Sequence, residues 1–80
     1  MPDQIICDIQ MNSTRFFIIQ NNEVSAFSNE GFTLDDVFNQ LCRYINTTGI
    51  NHIHLYGSGL YIQPIIHFLT MKENLYLEVN

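Results

Sequence analysis

One segment constrains this chain more than any other: residues 33–49 carry the full set of signals for a single amphipathic helix. Thr33 is a good N-cap, with Asp36 three residues on and Asp35 beside it at the positive end of the helix dipole. Phe32 and Val37 stand where a hydrophobic staple places its two residues. Leu34, Val37, Phe38, Leu41 and Ile45 recur at the spacing of one helix face, and Gly49 suits the stop. A helix with one apolar stripe has to lie on an apolar surface.

The flanking segments offer strands to build it. Ile5, Cys7, Ile9 and Met11 alternate with Ile6, Asp8 and Gln10, the period of two that marks a strand. Asn12-Ser13-Thr14 breaks it with turn chemistry. Arg15 to Gln20 is apolar on both faces, as an interior strand is. Asn21-Asn22 reads as a hairpin turn, because Asn tolerates positive φ, and Val24 to Phe27 returns as a third strand. After the helix, Ile50 to Tyr56 reads as a fourth strand and Gly57-Ser58-Gly59 as a tight loop. A second helix runs from Tyr61 to about Lys72, buries Ile62, Ile65, Ile66, Leu69 and Phe68, and needs Pro64 in its first turn. Leu75, Leu77 and Val79, alternating with Tyr76 and Glu78, close the chain as a fifth strand whose Leu and Val side chains face inward.

The order is βββαβαβ, with no linker, repeat or low-complexity tract. A meander followed by two right-handed crossovers predicts one α/β domain over residues 1–80. Its sheet is mixed and five-stranded, in order 3-2-1-4-5, with two helices. At 80 residues such a chain buries only a little over ~60% of its unfolded surface. A second copy or a partner would help it.

Charge and composition narrow the function classes. Eight acids against three basic residues leave a net charge of −5, which argues against an electrostatic grip on nucleic acid. No apolar run is long enough to span a membrane, and no signal-peptide pattern opens the sequence. Cys7 and Cys42 form neither a CxxC nor a disulfide framework, so reduced thiols and a cytoplasmic location are expected. Asn12-Ser13-Thr14 and Asn46-Thr47-Thr48 match the glycosylation pattern but read as turn and helix-end residues. Heavy use of Ile and Asn beside the single Lys72 points to a low-GC bacterial or phage source.

The element order resembles the core of the ribonuclease H-like and actin-like ATPase superfamily, which opens with a three-stranded meander and continues αβαβ. The stretch ICDIQMNSTRFFIIQNNEV is similar to that superfamily's first hairpin, where an Asp on strand one, here Asp8, precedes a short polar turn. IHLYGSGLYIQPIIHFL followed by LYLEV is similar to the glycine loop, proline-bearing helix and strand of the actin-like ATPases. The resemblance implies two chemistries. In the nucleases the first-strand Asp helps hold magnesium ions that activate water. In the ATPases backbone amides at glycine turns cradle phosphate, between two such domains.

This sequence departs from both. The nuclease chemistry needs several converging carboxylates, and Leu55-Tyr56-Gly57-Ser58 supplies none at the end of the fourth strand. Gln10 and Met11 stand where the ATPases usually have a glycine. Asp8, Gly57, Ser58 and Gly59 remain as candidate ligand contacts for an anion at a helix start. His52 and His54 share a strand face at a zinc-compatible spacing, yet no third ligand is evident. Neither cysteine has a base beside it. No catalytic residue, metal or cofactor is therefore expected. Glu23, Glu30, Asp35 and Asp36 are expected to gather near the third strand and helix start, as a solvated rim or a surface for a basic protein. Tyr44, Tyr56, Tyr61 and Tyr76 are many phenols for a small domain, and Tyr suits interfaces. Tyr61, Tyr76 and Glu78 are the candidate interface residues of a self-associating, non-catalytic protein-binding or regulatory module. An actin-like half-domain that binds nucleotide or phosphate across a dimer is the alternative, and a metal-dependent nuclease remnant the third.

Overall fold

A computed structural model describes residues 2–10, 13–30, 33–57, 59–72 and 74–79. The elements are β1 (Gln4–Ile9), β2 (Ser13–Gln20), β3 (Glu23–Glu30), α1 (Leu34–Thr48), β4 (His52–Gly57), α2 (Gly59–Leu69) and β5 (Tyr76–Val79). They form one five-stranded mixed sheet in order β3-β2-β1-β4-β5, the expected topology. β1 to β3 are antiparallel, and β4 and β5 run parallel to β1.

The local signals act as the sequence implies. Asn21 and Asn22 both take positive φ, 55° and 64°, which matches the right-handed twist of a two-residue hairpin. The Thr33 side chain accepts a hydrogen bond from the Asp36 N–H at 3.2 Å. Gly49 adopts the left-handed conformation and its N–H bonds the Ile45 carbonyl, ending α1. The stapling residue Phe32 lies outside the described residues. Thr47 and Thr48 turn their hydroxyls to the carbonyls of Arg43 and Tyr44 in the last helical turn. They are helix-end residues, as read.

Several details differ from the sequence reading. Ser13 and Thr14 belong to β2 and not to the turn before it, because they pair with Glu30 and Asn29, and α2 ends at Leu69, short of Lys72. β3 runs on to Glu30, because all eight of its residues pair with β2. That separates Glu23 from Glu30 by the length of the strand, roughly 24 Å at ~3.4 Å per residue, so the expected acidic cluster is split. α2 starts at Gly59, which puts Pro64 in its second turn. The Leu60 carbonyl thereby loses its helical partner, and Leu60 is 79% exposed, so water can take that bond. Val79 does not share the inward direction of Leu77 to the same depth: it is 43% exposed.

Both helices lie on one face of the sheet. Ile5, Cys7 and Ile9 of β1, Phe16 and Ile18 of β2, and Ile53 and Leu55 of β4 meet Val37 and Leu41 of α1 and Ile62, Ile65 and Leu69 of α2. Phe38 and Phe68 pack ring against ring between the helices, although Phe68 stays half exposed. Tyr44 packs edge-on to Phe16 and stacks on Phe27, tying α1 to the outer strands. Cys7 and Cys42 are free thiols.

Leu41 is fully buried, so Leu41→Ala should cost roughly 2–5 kcal/mol in a urea melt; a change near zero would mean that the helix packs by another face. Burial, and secondarily the charge of Asp8, push the Cys7 thiol from 9.0 up to about 12. The unfolded chain releases that proton near the ordinary value and the folded chain near the raised one, so this contribution to stability is complete below the ordinary value and is lost as pH climbs towards the raised one. Cys7→Ala should flatten the loss of stability between about pH 8 and about pH 10.5, measured by denaturant melts of both proteins.

Candidate functional site

Period-two alternation sends Ile6 and Asp8 of β1, and Gln10 just beyond it, to the sheet face that the helices do not cover. Phe17 and Arg15 of β2, and His52, His54 and Tyr56 of β4, stand on the same side. Ile6 pairs across with Phe17, and Asp8 with Tyr56. The result is a cleft of about 580 Å³, open to solvent and lined by Ile6, Asp8, Gln10, Phe17, Tyr56 and Gly57. The Asp8 carboxylate accepts a hydrogen bond from Gln10 Nε2 at 2.7 Å. Tyr56 is held by stacking on His54, with centroids 4.5 Å apart and planes 18° from parallel.

A second cluster adjoins it. His52 Nε2 donates to Glu78 Oε1 at 2.9 Å, and His54 Nδ1 lies 3.8 Å from Glu78 Oε2. The His52 ring stacks on Tyr76. Glu78 thus bridges the histidine pair and ties the short strand β5 to β4, beyond its ladder bonds. Among the described residues no group of three or more His, Cys, Asp or Glu side chains is placed to hold a metal ion.

The structure therefore brings two of the candidate ligand contacts, Asp8 and Gly57, to one cleft, and two of the candidate interface residues, Tyr76 and Glu78, to the neighbouring strand. Ser58 and the side chain of Tyr61 lie outside the described residues, and Gly59 opens α2. Gly57 has a reason of its own. Its φ is +137°, and a Cβ there would run into the Ile9 carbonyl oxygen of the paired strand. Close approach of β4 to β1 demands glycine at this position whatever the site binds. Asp35 and Asp36 are exposed in the first turn of α1, where capping and the dipole account for them.

Sequence reasoning missed Gln10, Phe17 and Ile6 as cleft walls. The alternation in β1 does mark Ile6 and Gln10 as neighbours of Asp8, but β2 is apolar on both faces and so hides which of its phenylalanines is core. Glu78 was legible only as an exposed acid, because its meeting with His52 and His54 depends on the β4–β5 register.

No protein-family model matches the sequence, and comparison with curated proteins finds no match. Solved structures do match. A Bacteroides thetaiotaomicron protein of actin-like ATPase fold and unknown function superposes with a TM-score of 0.79 at 13% identity, over 98% of this chain and 32% of that one. An Aquifex aeolicus member of the Ppx/GppA family gives 0.56 at 13% identity, over 98% and 34%. The type II variant of the Aquifex aeolicus Ppx/GppA phosphatase gives 0.53 at 13%, over 100% and 36%. These likenesses establish the fold: a small α/β unit of the actin-like ATPase type, as the element order implied. The chain spans about a third of the length of the structures it matches. No helix among the described residues is long and apolar enough to cross a membrane.

Gly57→Ala should destabilise the fold by roughly 3 kcal/mol, from backbone strain and the clash with Ile9. Chemical denaturation measures it, and a loss below about 0.5 kcal/mol would show that β4 can move away from β1.

Proposed function

We propose that this chain is a non-catalytic interaction or regulatory module that acts through protein contacts and self-associates along a sheet edge. The observation that carries this reading is the exposed apolar surface on one side and both margins of the sheet. Val24 is 62% exposed on β3 and Tyr76 72% exposed on β5, and neither edge strand carries Lys or Pro, the common guards against edge pairing. Tyr76 and Glu78 stand on β5 where a neighbouring strand would meet them. Among the described residues the cleft beside Asp8 adds no second carboxylate, so hydrolytic chemistry on paired metal ions draws no support here. A cytoplasmic setting suits the two free thiols.

The second reading is a half-domain that binds a nucleotide or phosphate across a dimer. It draws support from the shared actin-like fold, and from Asp8 and Gly57 standing together at the end of β1 and β4. Fold alone does not carry function, and the glycine at 57 is already explained by packing. The nuclease reading has no observation in its favour beyond the position of Asp8.

Purified protein with magnesium or manganese should leave DNA, RNA and ATP unaltered, and light scattering should give a mass above one chain. Leu77→Pro should weaken the association while circular dichroism shows the fold retained. Turnover abolished by Asp8→Asn would overturn the non-catalytic assignment. ATP binding without turnover, lost in Gly59→Val, would move the assignment to the nucleotide-binding half-domain.

A further inference from the structure

We propose that the cleft beside Asp8 receives an arginine side chain from a partner protein that lies across the uncovered face of the sheet. This deepens the interaction-module reading and rests on it.

The argument begins with the walls. Phe17 and Tyr56 stand on strands that flank β1 on either side, about 10 Å apart at ~4.8 Å per strand. Ile6 forms an apolar floor between them, and Asp8 and Gln10 supply a carboxylate and an amide at one end. Aromatic side chains and an adjacent carboxylate together suit a planar cation. The rings attract its charge, and the carboxylate oxygens accept from its N–H groups. Arg fits better than Lys, because its guanidinium is flat and forked. Stacking on His54 holds the Tyr56 wall in place.

Charge points the same way. Asp8 accepts from Gln10, and among the described residues no cation lies within ion-pair range of it. Arg15 pairs with Asp8 in the strand register but lines a different hollow, with Phe17, Ala26, Phe27 and Ser28. A phosphate entering the cleft would meet a carboxylate and, among the described residues, no cationic lining residue. The chain as a whole carries −5, which steers basic partners towards it.

The openness of the cleft favours a protein over a free small molecule. Small-molecule sites enclose most of their ligand, and this cleft is open along one side. Its surroundings supply what a partner needs: Ile6, Phe17, Tyr56 and Val24 give apolar area around a polar centre, and Tyr and Arg dominate such interface centres.

The test is an NMR titration of the full chain with N-acetyl-arginine methylamide and with its neutral twin, N-acetyl-citrulline methylamide. The arginine probe should give saturable shifts at the amides of Ile6, Asp8, Gln10, Phe17 and Tyr56. The citrulline probe should bind about tenfold more weakly, the combined effect of an exposed ion pair and a cation–π contact. Asp8→Asn, with its spectrum still dispersed, should reduce the difference between the probes to roughly threefold, the share left to the cation–π contact. Equal affinity for both probes, no saturable shift at these amides, or shifts unaltered by Asp8→Asn would overturn the inference. So would concentration-dependent shifts of the same amides without probe, since a second copy would then fill the cleft. Light scattering of the Leu77→Pro protein reads edge association separately, so failure of the arginine site and failure of the module reading give different results.

Discussion

Everything in this molecule hangs on the central strand β1, which is paired on both sides. It runs antiparallel to β2 and parallel to β4, and so joins the hairpin half of the sheet to the crossover half. Its alternation then divides the domain. Ile5, Cys7 and Ile9 lie at 0–2% exposure under the helices, while Ile6, Asp8 and Gln10 point to the other side. One strand six residues long thereby supplies the centre of the core and the floor of the cleft.

The pairing of β1 with β4 also imposes the tightest local demand. Gly57 sits against the Ile9 carbonyl with positive φ, where a side chain would collide with the paired strand. A glycine at a strand-to-helix turn invites a phosphate-binding interpretation. Here the sheet itself requires it. That distinction matters for function, because a glycine already explained by packing lends no independent weight to a ligand.

One-sided covering is the second consequence. Both crossovers return their helices to the same face, where their apolar stripes close a single cluster. The opposite face keeps a mixed surface in which two tyrosines, two histidines and one carboxylate stand in an ordered row from Tyr56 through His54, Glu78 and His52 to Tyr76. Antiparallel sheets often leave one face to water, whereas parallel pairs are usually covered on both. The histidine row lies on the parallel half, β1-β4-β5, and the cleft reaches from that half to Phe17 of β2. By that physical expectation, this half of the sheet is the one that leaves unusual surface uncovered.

The sequence by itself determined the elements, their order and the strand topology. Those depend on local signals, namely the Thr33 cap, the Gly49 stop, the Asn21-Asn22 turn and the two periods of hydrophobic spacing, and on the fixed hand of crossovers. It also placed Asp8 and Gly57 as residues to watch. What it did not determine was which residues meet across strands. The doubly apolar β2 gave no means of assigning Phe16 to the core and Phe17 to the cleft, and nothing near Glu78 in the chain announces His52, 26 residues away. The length of β3 and the second-turn place of Pro64 were likewise set by pairing and by solvent exposure rather than by propensity. Those choices belong to register and packing, which couple residues far apart in sequence, and only the tertiary structure makes them.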